Sequence, residues 1–362
     1  MFSKALVVGA YQRKLEELAK YEDLELTVIV PPYWREGKHR IELERRYTKG
    51  YELVVENMAL NGNFHLHVYP HLSRYLNKLR PHVLHIDEEP YNLATLHAMW
   101  LARRQGIKTL FFTWQNIYRK LPLPFSLIER YNLNSADYAI AGSKGAMEVL
   151  LNKGFRGPVA VIPQFGVDPA LYSPDEKRVR SGRFVIGYVG RIIESKGLVS
   201  LVDAVAGLPG DWELRMIGEG PLRSSLEAMV KNRGLAGKTT FVPYTPSVEI
   251  PLRLRELDVL VLPSLTTPSW KEQFGRVLVE AMACKVPVVG SNSGEIPYVI
   301  GDAGLVFPEG DSDALRQRFA TLMKDEELRL KLAELGRERV LALFTQARVA
   351  EQTYNVYRSM VN

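Results

Sequence analysis

The sequence predicts an α/β fold of two tandem, doubly wound, Rossmann-like domains. Three observations predict it. Short continuous apolar runs alternate with helical patterns through the first half, as in a parallel sheet covered on both faces. The alternation stops at QFGVDPALYSPDEKRVRSG, residues 164–182, a stretch broken by Pro and Gly and charged in its last third. It then restarts, and a length of 362 residues is too long for one typical domain and suits two.

Each element has its own warrant. ALVVGA (5–10) reads as a buried first strand, and LELTVIVPP (24–32) as a second. HVLHID (82–87), KTLFFT (108–113), YAIAGS (138–143) and VAVIP (159–163) continue the series. LSRYLNKLR (72–80) and NLATLHAMWLARRQG (92–106) are helical. After the break, RFVIGYVG (183–190) is a strand ending in Gly, and GLVSLVDAVAGL (197–208) is an amphipathic helix. WELRMIGEGP (212–221) is a strand and turn, and PLRSSLEAMVKNRG (221–234) is a helix closed by Gly. KTTFVPYT, LDVLVLPS and VPVVGS supply three more strands. The expected division is a domain over 1–165, a linker over 166–182, a second domain over 183–344, and a last helix, 345–362, crossing back to the first.

Composition narrows the function classes. Hydrophobic residues make up 46% and charged residues 24%, as in an ordinary globular protein. No apolar run reaches the roughly 18 residues of a membrane-spanning helix. The N-terminus lacks a small-residue cleavage site and reads as a strand, not a signal peptide. A single cysteine, Cys284, excludes an intrachain disulfide framework and points to a reducing compartment. It reads as a small core residue in preference to a reactive thiol.

The net charge of +6 suits anionic partners without choosing among them. PPYWREGKHRIELERRYTKGY (31–51) interleaves Arg35, Lys38, Arg40, Arg45, Arg46 and Lys49 with Tyr33, Trp34, Tyr47 and Tyr51. Two readings stay open: a solvated loop and helix face, or a surface resting on anionic lipid headgroups. The stretch is short and matches no nucleic-acid module, so no nucleic-acid partner is expected. HLHVYPH (65–71) lacks a Cys or clear carboxylate partner, and Asp311-Ser312-Asp313 precedes a helical pattern and reads as a cap. No metal and no cofactor are expected.

Ligands of open parallel sheets bind beyond the carboxyl ends of the strands, so the loops there carry the chemistry. GYVGRIIESKGL (187–198) places Arg191 and Lys196 after a strand and before a helix, a pairing suited to a diphosphate. IGEGPL (217–222) is a glycine turn, and SNSGEIP (291–297) offers small residues and Glu295. KEQFGRVLVEAMAC (271–284) holds Glu272 and Glu280 eight residues apart. On a helix that spacing spans roughly 12 Å with about 80° between the side chains. Two acids cooperating on one glycosidic bond sit closer, about 5–9.5 Å. They suit the two ends of an elongated ligand, with an anion-favouring helix N-terminus between them. In the first half, Glu88, Glu89 and Tyr91 follow a strand, and either contact a ligand, the acceptor if the family resemblance below holds, or begin a helix.

The succession GRxxxxKG, GxGP, PSxxxxxxxEQFGxxxxEAMAxxxPVV and SGEIP resembles the retaining glycosyltransferases of family 4. It covers nearly all of 183–310, and IPQFGVDPALYSP (162–174) looks like that family's hinge. The resemblance implies a GT-B fold, with two Rossmann-like domains facing a central cleft. It also implies a hexosyl transfer from a nucleoside-diphosphate sugar, UDP- or GDP-linked, without a metal. A glycan or lipid-linked acceptor of envelope or exopolysaccharide synthesis is implied, with a cytoplasmic place, peripheral on the inner face of the plasma membrane.

Carried over by position, Arg191 and Lys196 would hold the diphosphate after Gly190, and Glu272 would contact the transferred sugar. Phe274, Gly275 and Val277 would bind sugar or phosphate, and Glu280 the ribose hydroxyls. Gly218 and the strand end from Val242 to Tyr244 would line the base pocket, although Pro243 stands where the family usually has Gly. The acceptor side departs further from the family. Gly9-Ala10 stands for a Gly-Gly pair, and Gln115, with Asn116 beside it, stands where the family often has a His near the reacting sugar. Gln cannot take or give a proton at neutral pH, so charge stabilisation of the departing diphosphate becomes the main demand on the site. A sugar-nucleotide epimerase or a non-catalytic sugar-nucleotide binder are the rival readings.

Overall fold

In a computed structural model the described residues are 1–37, 39–175, 182–246 and 248–361. The chain divides into two compact units, Met1–Gly166 with Gln346–Asn362, and Val167–Thr345. The second unit begins inside the segment read as linker, because Val167 and Tyr172 are buried in its core and Val167 bridges to Thr345. Residues 176–181 of that segment lie outside the described ones.

The first unit contains strands β1 (Thr27–Val30), β2 (Tyr33–Glu36), β3 (His39–Glu42), β4 (Glu52–Val55), β5 (Val83–Ile86), β6 (Lys108–Thr113), β7 (Tyr138–Ala141) and β8 (Val159–Val161). β1 pairs in parallel with β4, and β5 to β8 form a parallel set in that order. Phe2 bridges Ile29 on one side and Ile86 on the other, and so joins the two sets. Both faces are covered, as the alternation of burial shows. Ile29, Phe111 and Ala139 enter one core cluster, while Val28, Val30, Leu110, Phe112 and Ile140 enter the other.

Two expectations fail here. ALVVGA is not a strand: Ala5–Val7 and Gly9–Gln12 are 3₁₀ turns. Leu6 and Val7 are buried as the pattern requires, but the amides of Val7 and Val8 bond back to Lys4 and Ala5. Burial alone does not tell a strand from a buried turn in so short a run. The 31–51 stretch holds no helix among its described residues; β2 and β3 form an antiparallel hairpin in it, and Lys38 lies outside the described residues.

The final helix, Gln346–Val361, packs on the helix Arg13–Leu18 of the first unit. Tyr354 stacks on Tyr21 at 3.7 Å, and the Tyr357 hydroxyl lies 2.6 Å from His85 Nδ1.

The second unit contains β9 (Phe184–Val189), β10 (Trp212–Ile217), β11 (Thr239–Val242), β12 (Val259–Leu262), β13 (Val288–Ser291) and β14 (Gly304–Phe307). Among the described residues they form one parallel sheet in the order β11-β10-β9-β12-β13-β14. This is the dinucleotide-fold order 3-2-1-4-5-6, whose strand order reverses between β9 and β12. The crevice at that reversal is where such sheets bind ligands. Cys284 is core, and burial pushes its thiol up to about 11, which makes it unreactive.

Candidate functional site

In the second unit the topology singles out the loops after β9 and β12. After β9 the chain turns through Gly190 and Arg191 to a 3₁₀ turn, Glu194–Lys196, and then to the helix Leu198–Ala206. After β12 it runs through Ser264 and Trp270 to Glu272. These loops meet: Lys196 Nζ lies 2.6 Å from Glu272 Oε2, and Ser264 Oγ donates to the same oxygen at 2.8 Å. Lys196 also sits over the Trp270 ring, 4.7 Å from its centroid. Both charged side chains are largely shielded from water, which strengthens the ion pair and makes its geometry consequential.

Glycines let these loops close on one another. A Cβ on Gly218, whose φ is +139°, would lie 2.0 Å from the Gly190 carbonyl oxygen. A Cβ on Gly294, in the SNSGEIP loop, would lie 2.0 Å from the Glu272 carbonyl oxygen, which also accepts from the Glu295 amide at 3.2 Å. That loop therefore braces Glu272 from behind. Ser291 Oγ donates to the Ser264 carbonyl at 2.5 Å and steadies the other partner.

The remaining predicted donor-side residues fall into three groups. Gly275 is the left-handed N-cap of the helix Arg276–Ala283, so Glu272 precedes that helix and Glu280 occupies its second turn. Glu280 is buried, with Tyr172 Oη donating to it at 3.1 Å and Arg276 forming an ion pair with it, Nε 2.8 Å from Oε1. Burial raises its pKa, against the opposing pull of Arg276 and Tyr172. Glu280 thus faces a different set of partners from Glu272. Phe274 packs edge-on against Phe344, and Val277 lies against the core. The Val242 carbonyl accepts from Gly218 N–H at 3.0 Å, while the Tyr244 side chain is 74% exposed and Arg191 is also exposed.

In the first unit a second polar cluster forms at the carboxyl ends of the Phe2 bridge, β5 and β6. Asp87 accepts from Ser3 Oγ at 2.6 Å and Gln164 Nε2 at 3.0 Å. Glu88 pairs with Lys4, and His67 Nε2 lies 3.4 Å from it. Lys4 also faces the rings of Phe64 and Trp34. Glu89 accepts from Thr113 Oγ1 at 2.7 Å and the Trp114 amide at 2.8 Å. Lys153 donates to Gln115 Oε1 at 2.7 Å and Glu129 Oε1 at 2.6 Å. The next helix starts at Leu93 with Asn92 as N-cap, so Glu88 and Glu89 belong to the loop and do not open a helix. Tyr91 packs on His65, 5.5 Å between centroids, and Asn116 is buried. Gly9 gives its N–H to Glu44 at 2.9 Å.

The two neighbouring acids are tuned oppositely. Burial pushes both up, but Lys4 and His67 outweigh it at Glu88 and hold that carboxyl at about 2. At Glu89 burial wins over the bonds from Thr113 and Trp114, and its pKa rises to about 7. An unfolded Glu titrates near ~4.3. The Glu88 contribution is therefore complete above that value and is lost as pH falls towards 2. The Glu89 contribution is complete below it and is lost as pH rises through 7. Glu89→Gln removes the titrating group and with it this pH dependence. Urea unfolding between pH 5 and 8 is expected to show the wild type losing about 3 kcal/mol relative to Glu89→Gln. A difference that stays constant across this window would contradict the assignment.

Sequence reasoning missed Ser264, Trp270, Lys4, Asp87, Gln164 and Lys153, and noticed His67 only as part of HLHVYPH. Ser264 sits in the quoted PS pair and Asp87 adjoins Glu88, so those two had a local signal. Lys4 reaches Glu88 across 84 positions, for which a single sequence gives none. Asp311 caps the helix Ser312–Lys324 by accepting from Asp313 and Ala314, as its sequence predicts. Among the described residues no group of three His, Cys, Asp or Glu side chains is placed to hold a metal ion.

Comparison with known proteins decides the family. The model of the group 1 glycosyl transferases matches residues 173–339, and that of the glycosyl transferase 4-like domain matches 10–164. The chain belongs to the family 4-like, group 1 glycosyltransferases. This family member is 31% identical over 261 residues to alpha-maltose-1-phosphate synthase of Mycolicibacterium smegmatis, covering 65% of this chain and 66% of that one. It is 34% identical over 149 residues to N-acetyl-alpha-D-glucosaminyl L-malate synthase of Bacillus anthracis, covering 41% and 37%. The matches span about a third to two thirds of the length of these curated relatives.

The solved structure of Anabaena HepE in complex with UDP superposes with a TM-score of 0.77 at 17% identity, covering 99% of this chain and 98% of that one. A Rickettsia africae glycosyltransferase gives 0.76 at 19%, covering 100% and 97%. Both show the fold of this family member to be GT-B, with two Rossmann-like domains.

Proposed function

We propose that this protein is a retaining, metal-independent hexosyltransferase. It moves a sugar from a UDP- or GDP-sugar to a glycan or lipid-linked acceptor of cell-envelope or polysaccharide synthesis. The observation that carries the reading is the meeting of Lys196, Glu272 and Ser264 at the strand-order reversal, beside Arg191 and the Gly190–Gly218 contact. Cations at that position suit a diphosphate, and close-packed glycines suit a flat base and ribose. The UDP bound to HepE, named in that structure's description, supports a nucleoside diphosphate here.

In the proposed reaction the bond from the sugar's anomeric carbon to the diphosphate oxygen breaks. The acceptor oxygen bonds to that carbon on the same face, and its proton passes to the leaving phosphate. Arg191 and Lys196 stabilise the charge that develops on the diphosphate. Glu272 orients the sugar, Glu280 the ribose, and Gly275 with Phe274 and Val277 forms the wall between them. Val242 and Tyr244 flank the base. Glu88, Glu89, Tyr91, Gln115, Asn116 and Gly9 are the acceptor-side candidates. Contact with an anionic membrane surface through residues 31–51 belongs to the same proposal. No helix among the described residues is long and apolar enough to cross a membrane.

A thermal-shift screen of nucleoside diphosphates and their sugars tests the reading. A ligand at 100 times its Kd stabilises the folded state by about 2.7 kcal/mol, so one base is expected to raise Tm clearly above the others. No shift with any nucleotide, and no nucleotide release across an acceptor panel, would reject it.

A further inference from the structure

We infer that Lys153 is a positioning residue for the transfer. It holds the Gln115 amide by its oxygen and leaves the N–H pair to donate a hydrogen bond to a hydroxyl oxygen of the sugar acceptor. Resting on the transferase reading, this assigns the polarity of one acceptor contact. Three elements converge on the group. Lys153 caps the helix Lys144–Asn152, Glu129 belongs to the helix Phe125–Ser135, and Gln115 follows β6. Lys153 Nζ donates to Glu129 Oε1 at 2.6 Å and to Gln115 Oε1 at 2.7 Å. The Lys153 side chain is 6% exposed and that of Glu129 11%. Glu129 already balances the charge of Lys153, so the bond to Gln115 is the one that reaches the loop at the end of β6. The Gln115 backbone N–H donates to Thr113 Oγ1 at 3.1 Å, and Thr113 Oγ1 donates to Glu89 at 2.7 Å. Main chain and side chain of Gln115 are therefore fixed by different partners.

Chemistry decides which end of the amide remains for a ligand. An ammonium donates and cannot accept, so only the oxygen of Gln115 can face it. Turning the amide over would set N–H against N–H and forfeit a charge-assisted bond in a place shielded from water. Among the described residues Gln115 Nε2 donates to nothing. The residue is half-buried and stands past the carboxyl end of a parallel strand, where the ligands of such sheets bind. Gln115 is thus a donor and not an acceptor towards its ligand. The oxygen that meets it accepts, as a sugar hydroxyl does when its own proton is directed elsewhere. The charge of Lys153 polarises the amide through its oxygen and strengthens the N–H donors.

Release of nucleoside diphosphate from the nucleotide sugar that the thermal screen selects tests the inference, with methyl hexosides and prenyl-diphosphate-linked sugars as acceptors. Gln115→Glu is the deciding variant. It keeps an oxygen for Lys153, and so the structural contact, but has no N–H to donate. It is expected to lower kcat/KM for the acceptor about tenfold, the effect of one hydrogen bond, with donor KM unchanged and an unfolding midpoint no lower than that of wild type. Lys153→Met is expected to lower kcat/KM by about as much. Added to Gln115→Met, it should cost less than about twofold more, because Lys153 acts through that amide.

A Gln115→Glu variant within about twofold of wild type overturns the inference and leaves the transferase reading standing. So does a Lys153→Met loss that persists in full beside Gln115→Met, which would make Lys153 a purely structural residue. If Lys153→Met does not fold, Gln115→Glu decides alone. No release by wild type with any acceptor rejects the transferase reading itself, and the inference with it.

Discussion

Lys196→Met and Glu272→Gln are each expected to lower kcat for sugar transfer by about 10²- to 10³-fold, the effect of removing one preorganised electrostatic contact from a transition state. In the proposed reaction Lys196 meets the charge that the leaving diphosphate gains, and its side chain is mostly screened from water. Glu272 sets its position at 2.6 Å, with Ser264 sharing the carboxylate oxygen. The substitutions are chosen to keep shape. Gln retains an oxygen for Ser264, and Met retains an unbranched side chain of similar length.

Breaking a mostly buried ion pair from one side also costs stability, because a charge is left behind. The double variant separates the two effects. It should recover much of the stability that either single variant loses, and recover none of the transfer rate. Single variants whose kcat stays within about threefold of wild type would remove this pair from the reaction.

Gly218→Ala is expected to destabilise the second unit by more than about 3 kcal/mol, a loss reserved for backbone strain and core disruption. Two independent reasons combine. The φ of +139° is one that side-chain-bearing residues rarely adopt, and the new Cβ would lie 2.0 Å from the Gly190 carbonyl oxygen. A backbone atom at the end of a strand cannot swing aside as a flexible side chain could. The turns after β9 and β10 must therefore separate, and the Gly218 N–H bond to Val242 must lengthen or break. Gly237→Ala is the control, since no heavy atom lies within 4 Å of its Cβ. Its effect should stay within about 0.5 kcal/mol. Urea unfolding followed by fluorescence measures both, and a Gly218→Ala loss below about 1 kcal/mol would contradict the close approach.

The helix start at Phe274-Gly275 was legible because a glycine followed by an apolar, helix-period run has one common solution. The structure places the N-cap at Gly275 and Glu280 in the second turn. The same local reasoning failed at ALVVGA. There the neighbours decide: Phe2 already fills the place beside Ile29 and Ile86, and the next residues fold into turns. The hairpin at 33–42 was illegible because its charged, aromatic composition signals neither a covered strand nor an amphipathic helix.

What the sequence determined by itself was local and periodic: the strands buried on both faces, the helices between them, the glycine turns and the succession of motifs that marks the family. Each of those signals is carried by a short run of neighbouring residues, where spacing fixes geometry. What only the tertiary structure decided was pairing. Lys196 meets Glu272 across 76 positions, and Lys4 meets Glu88 across 84. The strand order that makes neighbours of β9 and β12 brings the loops after them together. Side chains meet at the carboxyl ends of a parallel sheet because the sheet orders its strands in space, and that order is not written in the spacing of the residues that meet.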